Sequence, residues 1–104
     1  MITARFFRRG ETLVGFSVSG HAGYADSGSD IVCAAVTTAV NMTANGITEI
    51  AQNRAEVNVS ENEVQLKVEE TTDANALLLQ SMRLQIELLR EQFPKNIRIQ
   101  DMEV

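Results

Sequence analysis

A chain of 104 residues can build one compact domain and not two, so 1–104 is read as a single domain. With 44% hydrophobic and 22% charged residues it has an ordinary globular composition, and no apolar run or leader-like start is expected to mark a membrane span or a secretory signal. A net charge of −5 argues against nucleic-acid binding and suits a basic partner, while a single Cys excludes an internal disulfide and fits a reducing, cytoplasmic setting.

Ile2 to Arg8 reads as a strand, with Ile2, Ala4 and Phe6 on one face and Arg5 and Phe7 on the other. Phe7 is assigned to the core, with a place in a substrate groove as its alternative. Arg9-Gly10-Glu11 is a turn signal. Thr12 to Ser19 is the second strand, in which Val14, Phe16 and Val18 alternate with Gly15, Ser17 and Ser19.

That strand delivers the chain to a Gly-rich stretch holding its only His, His21, and its only Cys, Cys33. Gly20, Gly23 and Gly28 predict a mobile loop, and with Tyr24 and Ser29 this loop is expected to act as a lid over a substrate. A helix follows from about Asp30 to Gln52. Ser29 or Asp30 as its N-cap puts Cys33 in the first turn. There the free N–H groups and the helix dipole favour a thiolate and offer a place for an oxyanion. Three readings of the pair stand at this point. Cys33 is a nucleophile served by His21, or a small buried core residue, or part of a metal site with His21, Asp26 and Asp30. The last has no recognised ligand spacing, so neither a metal nor a cofactor is expected.

Few charges interrupt this first helix before Glu49, so it is expected to be buried on most sides. Ile31, Ala35, Ala39, Met42 and Ile50 form one stripe, widened by Val36, Val40, Ala44, Ile47 and Ala51, and Asn45-Gly46 is a candidate kink. Ala55, Val57 and Val59, then Val64, Leu66 and Val68, alternate with polar residues around Glu61-Asn62 and predict a hairpin, apolar inside. Lys67, Glu69 and Glu70 read as its solvated rim.

Thr71 to Asp73 offer caps for a second helix ending near Phe93, ahead of Pro94. Leu78, Leu79, Met82, Ile86, Leu89 and Phe93 share one face, and Leu77, Leu84 and Leu88 share another, roughly opposite. One sheet cannot cover both, so a homodimer through the second face is expected; cover by a C-terminal segment around Ile97 and Ile99 is the alternative. Asn96 to Glu103 is the last strand. The order ββαββαβ predicts an α+β two-layer sandwich, with two helices on one face of a mostly antiparallel sheet.

Gly20-His21-Ala22-Gly23-Tyr24-Ala25 followed by Gly28-Ser29-Asp30-Ile31-Val32-Cys33-Ala34 resembles the signature of the bacterial ribosomal-processing cysteine protease family, Prp. The resemblance implies an endopeptidase with His21 as base and Cys33 as nucleophile. Asp30 matches the family's acidic position in a supporting role, as a helix cap or in orienting the imidazole. It also implies a substrate: the N-terminal extension of a large-subunit ribosomal protein, cut after a hydrophobic, Phe-containing motif. Asp26-Ser27 and Thr37-Thr38 fall where the family is expected to vary. The competing reading is a non-catalytic ribosome-assembly or protein-binding module with Cys33 merely buried. Rapid alkylation of the thiol at pH 6 separates the two.

Overall fold

The computed structural model describes residues 1–20 and 27–104, with 27–30 as backbone only. The described elements are β1 (Ile2–Arg9), β2 (Thr12–Gly20), α1 (Ser27–Asn45), a π-helical turn (Gly46–Ile50), β3 (Ala55–Val59), β4 (Glu63–Val68), α2 (Asp73–Gln92) and β5 (Ile97–Glu103). They form the expected α+β sandwich, with the five strands in the order β3-β4-β2-β1-β5. Every pairing is antiparallel except β1 with β5, which is parallel.

The inner face of the sheet follows from the alternation. Ile2, Ala4 and Phe6 of β1 stand beside Val18 and Phe16 of β2 and Leu66 of β4, and the helices close over them. Gly10 turns the first hairpin at φ +65°, a conformation that side-chain-bearing residues rarely adopt. On the outer face Phe7 is buried, as its core assignment expects, and the Lys67 ammonium sits 5.1 Å from its ring centre. Gly15, which pairs with both residues, leaves the space that lets Lys67 reach across. Lys67 is therefore more than a solvated rim residue.

The first helix differs from its expected form in three ways. It begins at Ser27, so Ser29 and Asp30 lie inside it and neither is its N-cap. Ser and Gly are weak helix formers, yet this first turn is helical and runs on into the buried Val32. The inward stripe is Val32, Val36, Val40 and Ile47, while Ile31, Met42 and Ile50 are 63%, 67% and 84% exposed. Apolar residues occur all round this helix, so both stripes fit the periodicity and only the sheet selects one. The predicted break at Asn45-Gly46 is the start of the π-helical turn. A Cβ at Gly46 would come within 3.0 Å of Leu78, so glycine permits the close approach of α2.

Ile31–Ile50 is long and apolar enough to cross a membrane by length and composition alone, with a mean hydropathy of 1.3. This corrects the expectation that no run reaches that length. In the fold it is a core helix, its valine stripe seated on the sheet.

The second helix is capped by the Thr72 side chain, which accepts from the Asn75 N–H at 3.1 Å. Asn75 is buried, and its amide is satisfied at both ends, accepting from Asn53 at 2.9 Å and donating to the Glu70 carbonyl at 2.9 Å. Leu79, Met82, Ile86 and Leu89 face the sheet as expected. Ile97 is part of that same core, so the C-terminal segment does not cover Leu77, Leu84 and Leu88. The edge strand β3 departs from its predicted apolar-inside pattern, for Val57 and Val59 are exposed where the helix layer does not reach.

Candidate functional site

Cys33 is the seventh residue of α1, in its second turn. The expected first-turn placement is thereby corrected, and its electrostatic consequence goes with it. Only the first four N–H groups of a helix lack intrahelical partners, and the dipole's effect fades within that turn. The free amides here belong to the first residues of α1, one turn ahead of the thiol.

The thiol is partly exposed and packs against the edge of the core. It lines an open groove of about 230 Å³ between α1, the end of β2 and the tip of the β3–β4 hairpin. Val36 and Val40 of α1, with Val18 and Val64 of the sheet, make an apolar floor. Val18 and Val64 are partners across the β2–β4 ladder, so the floor is as rigid as the sheet. Along α1, Cys33, Thr37 and Asn41 recur every four residues and so share one face at the groove. Residues Ser60 to Glu63 form the opposite wall. The Ser60 N–H donates to the Glu63 carbonyl at 2.8 Å, which closes that turn.

Gly20 ends β2 at the mouth of the groove, with φ +88°. A Cβ there would collide with the carbonyl of Met1. Glycine is thus required twice, by conformation and by space. Its N–H donates to the Asn62 carbonyl at 3.1 Å, so the residue that precedes His21 is fixed to the hairpin tip.

Of the candidate residues, Cys33 and Gly20 line one groove. Asp30, Ser29 and Gly28 belong to α1, Asp30 three residues ahead of Cys33. Gly28 is helical, so the C-terminal end of the predicted loop belongs to α1. His21, Gly23, Tyr24 and Asp26 lie outside the described residues, and with them the middle of the predicted lid and two of the four residues of the alternative metal set. The sequence reading missed Asn41 and the hairpin wall. Asn41 was legible as the second step of a four-residue repeat from Cys33. The hairpin wall was not, because it reaches the groove through the long-range pairing of β2 with β4.

Fold and groove together define an α+β sandwich that presents its single thiol on the wall of an open groove. A family model for the cysteine protease Prp matches residues 1–98, and the chain belongs to that family. It is 28% identical over 85 residues to the ribosomal processing cysteine protease Prp of Staphylococcus aureus, covering 79% of this chain and 80% of that protein. The crystal structure of SMU.848 from Streptococcus mutans superposes with a TM-score of 0.88 at 29% identity, covering 100% of this chain and 96% of that one. That of the S. aureus Prp in complex with a covalently linked product peptide gives 0.87 at 24% identity, covering 98% and 100%.

Proposed function

We propose that this protein is a cytoplasmic cysteine endopeptidase that removes the N-terminal extension of a large-subunit ribosomal protein. His21 takes the Cys33 proton or holds the thiolate, and the sulfur attacks the scissile carbonyl. The tetrahedral intermediate collapses to a thioester as the imidazolium gives its proton to the departing amine. Water deprotonated by the same imidazole then hydrolyses the thioester, freeing the thiol and the new carboxylate. Asp30, one helical turn before the nucleophile, has the supporting role of orienting the imidazole.

The observation that carries this reading is the position of Cys33, a partly exposed thiol opening onto a cleft in a chain of the Prp family. A merely buried structural Cys does not need that cleft. The S. aureus relative, captured with a covalently linked product peptide, supports the same chemistry here. A homodimer through Leu77, Leu84 and Leu88 is part of the proposal, supported by their exposure of 65%, 57% and 43%. Incubation with an N-terminally extended ribosomal protein, followed by mass analysis, tests the activity. One cut near the N-terminus, lost in Cys33→Ala, is the expected result, and an uncut substrate refutes the proposal.

A further inference from the structure

The groove does not stop at the thiol. It runs along α1 for eight residues beyond Cys33, about 12 Å at the helical rise, and ends at Asn41. An extended peptide advances about 3.3 Å per residue, so this length seats about four residues on one side of the scissile bond. The Asn41 side chain is exposed and makes no hydrogen bond to another described residue. Its amide carries a donor and an acceptor side by side, the complement of one peptide unit. The buried side chains of Val36 and Val40 beside it keep the strip between Cys33 and Asn41 apolar.

We infer that Asn41 is a specificity-determining residue that grips the backbone of an extended substrate peptide about four residues from the bond cut, making the enzyme a reader of peptide length. This rests on Cys33 being the nucleophile, as proposed above. The pairing is to the main chain, so it demands an extended, unfolded segment and is indifferent to the side chain at that position. A folded loop cannot lie straight along α1. A disordered N-terminal extension can.

The test uses the intact protein and synthetic peptides copied from the extended N-terminus of the ribosomal substrate, trimmed stepwise from each end. For the long peptides Asn41→Ala lowers kcat/KM about tenfold, the upper end of the loss expected of one hydrogen bond, and the loss falls on KM. Asn41→Gln recovers part of it. On one side of the scissile bond, trimming to two residues abolishes the difference between wild type and Asn41→Ala. The rate of Cys33 alkylation by iodoacetamide is the same in both proteins, which a general disturbance of α1 would not allow. Equal losses at every peptide length, or no loss with the long peptides, overturn the inference while leaving the protease reading intact. A wild type that cuts none of the peptides overturns both.

Discussion

Arg83 of α2 reaches over the ring of Phe6 to pair with both carboxylate oxygens of Asp101 on β5. Arg8 of β1 joins the same carboxylate at 3.3 Å, and Glu87 steadies Arg83 from one turn along α2 at 3.0 Å. Helix, inner strand and edge strand are thus held at one point, on the far side of the sheet order from the β3–β4 hairpin. Burial raises the Asp101 carboxyl, but the hydrogen bond and charge of Arg83, with those of Arg8, outweigh it and hold the group below the usual carboxylate range.

A depressed folded-state value means that this group stabilises the fold above its unfolded value, near pH 4. That contribution is lost as pH falls further, through the folded value. With the Asp101 side chain 44% exposed, the effect is a surface-scale one of about 0.2–1 kcal/mol. Urea midpoints for Asp101→Asn should therefore lie below wild type at pH 7 and converge with it as the pH falls through the folded value. An undiminished gap at low pH would show that the loss is not electrostatic.

Cys33→Ala should leave the melting temperature almost unchanged, since the side chain is partly exposed and packs only at the core's edge. Proteolysis should fall to background, because Ser27 and Ser29 lack the acidity of a thiol. Cys33→Ser should be nearly as inactive and retain bound peptide. Product mass and a thermal melt on the same samples check both halves.

Replacing Gly20 tests the link between hairpin and loop. Gly20→Ala forces a side chain into a positive φ and against the Met1 carbonyl, at a cost of about 1–3 kcal/mol. Because Gly20 precedes His21, catalysis should fall more than stability does. Turnover measured at a temperature where the variant is fully folded separates the two.

For assembly, the wild type at micromolar concentration should sediment at twice the chain mass. Three leucines per protomer contribute about 1.5–3 kcal/mol each when fully buried. On α1, the exposed Met42 lines an open crevice with Ser81 and Gln85 of α2. Leu84→Glu should shift the protein toward monomer by placing an unpaired charge in an apolar contact. A monomer at every concentration would remove the dimer from the proposal.

How much of this was legible depended on how many faces each element buries. The strands alternate because one side of the sheet meets the core, and β1, β4 and both faces of α2 could be read directly. In β2, by contrast, a bulge opposite Phe7 and Arg8 breaks the predicted alternation and puts Leu13, not Val14, in the core beside Phe16. In α1 the periodicity is flat, with Ile31 and Met42 as apolar as Val32 and Val36, so its inward stripe was misassigned. The start of α1 was also misplaced, because Ser29 and Asp30 are good caps by residue type and yet lie inside the helix. The cleft needs β4 beside β2, a pairing across the whole of α1 that no local pattern encodes. Cys33 was legible as a site residue through the motif around it, and Asn41 only through its four-residue spacing from Cys33.

The pairing of Ile2 with Ile97 places the only parallel ladder among the described residues between β1 and β5. While the chain is being made, β1 can take β2 as a partner almost at once, but its other edge stays open until β5 emerges. A nascent or clipped chain lacking β5 would keep both walls of the cleft yet expose an unpaired edge at Ala4 and Phe6, and Arg83 would lose its anchor. Such a fragment should be sticky before it is inactive. Quality control in the cell would then meet this protein as an aggregation problem, with the integrity of its last strand deciding how long it survives.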